Sequence, residues 1–232
     1  IANTAGEVIG NVTNRGRVDV NSGLTTADLT SSGTVNLSAT LAADDIVNSG
    51  TLTQSDSGAT ITAESFSNLS SDTANLRADV TLTAVDGYDA ITGALADSGR
   101  YDQSGVTNVL EDITLTTTGL SSETYASSLN REKSPLGLPR INITDGKTLT
   151  VVQSGDSTYS GTFTGSGELT KSGVGSLELT GANTYTGKLN VAAGTVDLNG
   201  GRLDDSLEVT IESGARFIAN TAGEVIGNVV NR

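Results

Sequence analysis

The chain contains rows of sequence that repeat at a short, fixed interval. With Gly16, Gly33 and Gly50 placed in one column, the first two rows read "GRVDVNSGLTTADLTSS" and "GTVNLSATLAADDIVNS", each 17 residues long, and a longer row follows. A unit this short cannot enclose a core of its own, so successive rows must pack on one another to bury their apolar side chains. The repeat therefore predicts a stack of similar coils rather than a conventional globular domain.

Apolar and polar residues alternate inside each row. This period of two is that of a β-strand with one buried face, and the Ser, Asn and Gly residues between the runs favour tight turns. Strands from successive rows would then pair in parallel at a spacing of about 4.8 Å. The predicted inward stacks are Val18/Val35/Leu52, Leu24/Leu41 and Leu29/Ile46, continued by Ile61/Phe66 and, more loosely, by Ile91/Leu95.

Two polar columns accompany these stacks. Asn14, Ser31 and Asn48 share one position before each glycine, and we expect their side chains to hydrogen-bond along the stack. Gln54 is an exception, because it occupies the place that Val20 and Leu37 hold in the earlier rows.

Composition fits a narrow aliphatic core and excludes several classes of protein. The 232 residues include 3% aromatics and no Cys, Met, Trp or His, so neither a disulfide framework nor histidine-dependent serine catalysis is available. The net charge of −14 argues against nucleic acid and anionic membranes as partners. The sequence contains no run of 18 apolar residues, so no transmembrane helix is predicted.

The two ends of the sequence are nearly identical. Residues 1–12 recur unchanged at 218–229, and 14 of the 15 positions in 1–15 match 218–232. We expect the chain to be a segment of a longer protein with tandem units of about 217 residues, so that the second copy starts the next unit. This hypothesis predicts that Ile1 and Ile218 face the same way, as do Val8 and Val225.

Regular alternation is lost between residues 119 and 145. This stretch contains both prolines and a local basic cluster, and proline interrupts strand pairing. We therefore predict one continuous solenoid with rungs at 1–118 and 146–232 and an irregular inserted loop or extension at 119–145. The loop is either an inert insertion or a contact site for an acidic glycan or a matrix protein, with Arg131, Lys133 and Arg140 as the candidate contact residues.

Paired carboxylates at Asp44-Asp45 and Asp204-Asp205 are the remaining candidates for chemistry. Such pairs serve glycosidases or bind cations, but no supporting ligand pattern surrounds them, so we interpret them as solvated turn residues. We predict no catalytic, cofactor-binding or metal-binding residue and no cofactor. The chain is therefore not expected to be an enzyme.

One stretch resembles a known repeat. "GSGELTKSGVGSLELTGANTYTGKLNVAAGTV", at about 165–196, resembles the passenger-associated transport repeat of bacterial autotransporters, and the rows at 14–69 are similar to haemagglutinin-like coils. The resemblance implies a right-handed parallel β-helix displayed at the surface of a Gram-negative bacterium or released from it. It also implies that any membrane attachment is made by a C-terminal β-barrel outside these residues.

Within that class the resemblance implies an adhesin. Its function would be cell adhesion, autoaggregation or biofilm formation, with self-association between cells or a host matrix or glycan receptor as the partner. Two alternatives remain at this point: a passive spacer that holds a distal binding domain away from the cell, and a β-helical polysaccharide-processing enzyme.

Overall fold

The computed structural model describes residues 6–7, 10–69, 73–83, 99–103, 105–121, 139–201, 203, 208–220 and 227–232. Within these ranges the regular structure consists of parallel β-strands and contains no helix. The strands are β1 Gly6–Glu7, β2 Val12–Asn14, β3 Arg17–Val20, β4 Leu24–Thr25, β5 Asp28–Ser31, β6 Thr34–Leu37, β7 Leu41–Ala42, β8 Asp45–Asn48, β9 Thr51–Gln54, β10 Ile61–Ala63, β11 Ser65–Asn68, β12 Thr73–Leu76, β13 Val80–Leu82, β14 Arg100–Gln103, β15 Val106–Val109, β16 Ile113–Thr117, β17 Gly119–Ser121, β18 Arg140–Ile143, β19 Thr148–Gln153, β20 Ser157–Tyr159, β21 Thr162–Gly165, β22 Glu168–Ser172, β23 Ser176–Leu179, β24 Lys188–Val191, β25 Thr195–Leu198, β26 Glu208–Ile211, β27 Arg216–Ala219 and β28 Asn228–Asn231.

The strands form four parallel sheets that follow the long axis of a solenoid. Sheet I contains seven strands in the order β21-β18-β15-β12-β9-β6-β3, and sheet II contains eleven in the order β1-β4-β7-β10-β13-β16-β19-β22-β24-β26-β28. Sheet III has the order β17-β14-β11-β8-β5-β2, and sheet IV has the order β20-β23-β25-β27. Since β17 lies beside β20, sheet IV extends the side of the solenoid that sheet III begins. The predicted all-β parallel β-solenoid is confirmed.

The inward stacks have the predicted register. Val18 pairs with Val35 and Val35 with Leu52 in sheet I, while Leu24 pairs with Leu41 in sheet II and Leu29 with Ile46 in sheet III. Val35, Leu41, Ile46 and Leu52 are fully buried. One continuous apolar core therefore runs along the axis, because each rung buries its apolar side against the next.

Beyond Phe66 the predicted stack needs a correction. Ile91 and Leu95 lie outside the described residues, and the places expected for them are taken by Val80, which pairs with Ile61, and by Tyr101, which pairs with Phe66. The rings of Phe66 and Tyr101 meet edge to face with centroids 5.1 Å apart. The sequence alignment slipped here because Tyr101 follows Phe66 by 35 residues, whereas Ile46 follows Leu29 by 17 and Phe66 follows Ile46 by 20.

Several buried polar side chains in the core meet specific partners. Asn14 Nδ2 donates to Ser31 Oγ at 3.0 Å, and Asn48 Nδ2 donates to Asn68 Oδ1 at 2.8 Å, so the predicted polar column exists. Gln54 points inward like Val20 and Leu37, and its amide binds the backbone of the adjacent turn and of the next rung. The exception in the alternation is therefore a satisfied buried amide.

Glycine is required where two rungs approach at a corner. A Cβ atom on Gly33 would overlap the carbonyl oxygen of Gly16, and one on Gly50 would overlap the carbonyl oxygen of Gly33. Since Thr34 N donates to Gly16 O at 2.7 Å, the spacing is set by a backbone hydrogen bond and leaves no room for a side chain. The glycine column that defines the sequence repeat thus marks a corner of the solenoid.

The boundaries predicted for the inserted loop are wrong at both ends. Residues 119–121 form β17, which pairs with β14, and residues 140–143 form β18, which pairs with β15 and β21. Pro139 precedes β18, and its carbonyl oxygen accepts a hydrogen bond from Thr162 N at 2.7 Å. Because Pro139 lies outside the strand, its missing N–H removes no hydrogen bond between strands. Within the rest of the predicted loop, residues 122–138 lie outside the described residues.

The described parts of the duplicated ends are both strands, but they enter different sheets. Val12 pairs with Leu29 in sheet III, whereas its counterpart Val229 pairs with Val209 in sheet II. Ile1, Val8 and Val225 lie outside the described residues, so their predicted orientations have no structural counterpart. The expectation that the last rung repeats the first is not met in the described part, because the preceding rung decides which sheet receives the segment: β27 ends in sheet IV and the next strand continues sheet II.

Candidate binding surface

The outward face of sheet I carries a ladder of polar side chains. Between each pair of inward residues the strands present one outward side chain, and seven of these are in register. We call them the Asn/Thr ladder: Asp19, Asn36, Thr53, Asn75, Asn108, Asn142 and Thr164.

Hydrogen bonds connect the ladder along the solenoid axis. Asn36 Nδ2 donates to Asp19 Oδ1 at 2.8 Å, Asn75 Nδ2 donates to Thr53 Oγ1 at 3.2 Å, and Asn108 Nδ2 donates to Asn75 Oδ1 at 2.9 Å. A primary amide has two N–H donors and two acceptor lone pairs, so Asn75 keeps one of each after these two bonds. The ladder therefore offers oriented donors and acceptors, and partner binding would order few further side chains.

The face is close to neutral although the chain is strongly acidic. Its second outward column consists of Arg17, Thr34, Thr51, Thr73, Val106, Arg140 and Thr162. Across both columns two arginines stand against one aspartate, a charge of +1, whereas the chain carries −14. The hydrogen bond from Asn36, and then the one from Arg17, lower the pKa of Asp19. Polar contact through this face thus meets little carboxylate repulsion.

Of the three predicted contact residues, the structure describes one. Arg140 is exposed in β18, where it lies between Val106 and Thr162 on the outward face of sheet I. Arg131 and Lys133 lie outside the described residues, so a basic cluster of all three stays a prediction. Sequence reasoning missed the Asn/Thr ladder, although its signal is visible as a polar residue between the two inward residues of each sheet I strand.

A cluster of carboxylates lies on another side of the solenoid, near sheet III. Asp28 pairs with Asp45 in the next rung, and Ser65 Oγ donates to Asp45 Oδ1 at 2.5 Å. Burial, and then the carboxylates of Asp45 and Asp44, raise the pKa of Asp28; burial and the same carboxylates raise that of Glu64. No group of His, Cys, Asp or Glu side chains in the described part of the chain is arranged to hold a metal ion. Asp204 and Asp205 are not described.

Lys171 is a buried charge in the second half of the solenoid. It occupies an inward position between Val151 and Val191, and its side chain is fully buried. Its Nζ donates to the carbonyl oxygens of Ser172 at 2.8 Å, Gly173 at 3.2 Å and Ala193 at 3.5 Å. Burial lowers the pKa of Lys171 from 10.5 to about 8. The ammonium group therefore ties together the turns of two successive rungs.

The stretch "GANTYTG" replaces a strand of sheet I. Asn183 Oδ1 accepts from Phe163 N at 2.8 Å, and Asn183 Nδ2 donates to Gly181 O at 3.0 Å. Buried Tyr185 accepts from Leu169 N at 2.6 Å through its hydroxyl oxygen and donates to Lys188 O. These two side chains satisfy backbone groups that a strand would otherwise pair, so the rung closes without continuing sheet I.

The fold and these turn contacts define the class of the protein, a parallel β-solenoid closed by glycine corners and by a buried lysine, asparagine and tyrosine. Residues 169–198 match the family model described as Passenger-associated-transport-repeat, which confirms the resemblance seen in the sequence. No curated protein and no solved structure matches the chain. The repeat and the β-solenoid fold are similar to those of autotransporter passengers.

The structure also bears on membrane insertion by helices. Among the described residues no helix has the length and apolar character needed to cross a bilayer.

Proposed function

We propose that this chain is an adhesive autotransporter passenger that brings cells together through self-association along the outward face of sheet I. The observation that carries the proposal is the Asn/Thr ladder, a hydrogen-bonded polar face with a charge near +1 on a chain of −14. Each contact along such a face is weak, but many contacts between many copies on two cells add up to strong attachment. The proposed role is non-enzymatic, and an autotransporter passenger implies display at the surface of a Gram-negative bacterium or secretion from it.

Self-association suits this face better than the acidic side near sheet III. Two copies that meet through the acidic residues near sheet III would bring Asp28, Asp45 and Glu64 against like charges. At physiological ionic strength such repulsion is screened only beyond about 8 Å, so close contact there is disfavoured. The neutral face avoids this cost, and its amides and hydroxyls can both donate and accept.

Cell-surface display tests the proposal. Cells that display the chain and no other adhesin are expected to aggregate and settle. The variant Thr53→Glu/Asn75→Glu/Asn108→Glu, which adds three carboxylates to the ladder, is expected to abolish settling. The control Thr62→Glu/Thr81→Glu/Thr116→Glu adds the same charge to the outward side of sheet II and is expected to keep it. Equal surface levels and resistance to protease establish that both variants are displayed and folded.

The alternative functions give different results in the same experiment. A passive spacer would leave cells dispersed when the unaltered chain is displayed. Settling that both variants retain would mean that cells associate through another surface. Turnover of a polysaccharide by the purified chain would instead support the enzyme alternative.

A further inference from the structure

A polar groove follows the corner between sheets I and II in the second half of the solenoid. It has a volume of about 530 Å³ and forms where the turns of successive rungs pass from one sheet to the other. We call it the corner groove. Its lining residues are Asp145, Gly146, Lys147, Thr148, Ser166, Gly167, Glu168, Thr186, Gly187, Lys188, Glu208 and Asn228.

The groove is open because its floor is backbone. A Cβ atom on Gly187 would overlap the carbonyl oxygen of Gly167, and one on Gly167 would overlap the carbonyl oxygen of Thr144. Side chains thus cannot fill the floor without moving the rungs apart. The end of sheet I at β21 adds to the opening, because "GANTYTG" follows it in place of a further strand.

The charges that line the groove are largely paired within the protein. Lys147 Nζ lies 2.6 Å from Glu111 Oε2, and Lys188 Nζ lies 3.3 Å from Glu208 Oε1. Ser166 Oγ donates to Asp145 Oδ1 at 2.9 Å. Each carboxylate still has free lone pairs, and each ammonium group has further N–H donors. The hydroxyls of Ser166 and Thr186 already donate their single O–H group, to Asp145 and to Gly165 O, but their oxygens can still accept. The lining can therefore both donate and accept hydrogen bonds while its net charge stays small.

The groove is long as well as polar. Thr148, Glu168, Lys188, Glu208 and Asn228 occupy one position in five successive strands of sheet II. Since neighbouring strands lie about 4.8 Å apart, this column spans roughly 19 Å along the axis. An extended ligand with several units fits these dimensions better than a single small molecule does.

We propose that the corner groove binds a neutral oligosaccharide that lies along the solenoid axis. Sugar hydroxyls can donate to the carboxylates and to the hydroxyl oxygens of the lining and can accept from the lysine ammonium groups, which matches the alternating lining. A polyanion would meet Asp145, Glu168 and Glu208 on a chain of −14, and a polycation would meet Lys147 and Lys188. None of its lining residues belongs to the two outward columns of sheet I, so the site does not depend on the proposed self-association.

Backbone NMR titration of the isotope-labelled chain tests the proposal. The probes are cello-, chito-, malto- and isomaltohexaose as neutral oligosaccharides, a heparin hexasaccharide as the polyanion and spermine as the polycation. At least one neutral oligosaccharide is expected to shift the amide signals of Gly146, Gly167 and Gly187 in a saturable way. The variant Ser166→Trp places a large side chain at an exposed position of the groove and is expected to weaken that binding about tenfold or more.

Val174→Trp is the matched control, since Val174 is 84% exposed on a turn and does not line the groove. It is expected to leave affinity unchanged, and unaltered amide spectra away from each substitution establish that both variants are folded. The proposal is overturned if none of the neutral oligosaccharides shifts these signals, if only heparin or spermine does, or if Ser166→Trp binds as the unaltered chain does.

Discussion

Individual buried polar residues join neighbouring turns and rungs inside the core of this solenoid. Gln54 is fully buried among apolar neighbours, and its Nε2 donates to Ala59 O at 2.8 Å. Its Oε1 accepts from Arg77 N at 2.9 Å and Ala78 N at 3.2 Å, so one side chain joins a turn to the next rung. The amide thus satisfies backbone groups that the longer turn leaves without a strand partner.

We predict that Gln54→Leu destabilises the chain by about 2–4 kcal/mol although leucine occupies the same position in the rung below. The reason is that the three backbone groups would remain buried without partners, each at a cost of about 1–3 kcal/mol before relaxation. The free energy of unfolding from urea titration measures the effect. Thr51→Leu, an outward change on the same strand, is the control and is expected to change stability by less than about 0.5 kcal/mol. Equal stability of Gln54→Leu and the unaltered chain would contradict the assigned role.

Lys171 gives a prediction about alkaline pH. The folded chain releases the Lys171 proton near pH 8, whereas the unfolded chain holds it up to about 10.5, so between these values unfolding takes up a proton and stability rises with pH. Against Lys171→Met, which lacks this group, the unaltered chain is expected to gain up to about 3 kcal/mol across that range. Urea unfolding of both chains at pH 7.5, 9 and 10.5 measures the difference. A difference that stays constant with pH would show that the pKa of Lys171 is not lowered.

At the scale of secondary-structure elements, the corners restrict the choice of residue more strictly than the strands do. Strand residues need only alternate, but a corner where two rungs are joined by a backbone hydrogen bond has no space for a Cβ atom. Gly33 and Gly187 occupy such corners. Gly16, in contrast, has open space around the position of a Cβ atom because it lies at the start of the column.

We predict that Gly33→Ala lowers the free energy of unfolding by about 1–3 kcal/mol, the range typical of overpacking, because its methyl group would push the rung away from Gly16 O. The matched change Gly16→Ala is expected to be nearly neutral. Thermal unfolding followed by circular dichroism compares the two variants. Similar midpoints for both would mean that the corner relaxes freely, and the steric account would then be wrong.

Over the whole molecule, carboxylates with opposite pKa shifts set the response to acid. Asp28 and Glu64 have raised pKa values, so their ionisation opposes folding, and stability rises as pH falls from neutral through those values. The hydrogen bonds from Thr158 and Asn199 lower the pKa of Glu178, and its contribution to stability is lost as pH falls through its folded value. From these three carboxylates, stability is expected to rise as pH falls from neutral into mildly acidic solution and to fall again on further acidification.

The double variant Asp28→Asn/Glu64→Gln tests this account. It is expected to be more stable than the unaltered chain at pH 7, and the two chains are expected to converge as pH falls towards the ordinary range of carboxyl groups. Midpoints of thermal unfolding measured between pH 4 and pH 7 supply the comparison. If the variant shows the same dependence on pH as the unaltered chain, other groups control the response.

The sequence by itself determined the parts of this protein that depend on local pattern. Alternation decides which side chain of a strand faces inward, and the repeat interval places Val35 next to Leu52 and Leu41 above Leu24. The motif "GANTYTG" and its neighbouring glycines were also sufficient to indicate the transport repeat. The Asn/Thr ladder was within reach of the same reasoning, because its members are the residues between the inward ones.

Only the tertiary structure decided which strands meet across insertions and at the ends. Tyr101 rather than Leu95 continues the stack of Phe66, and nearly identical segments around Val12 and Val229 enter different sheets. The partners of Gln54 and Lys171 likewise come from turns of other rungs. The physical reason is that strand pairing is non-local: a short segment adds to whichever edge the preceding rung presents, and no pattern within the segment specifies that edge.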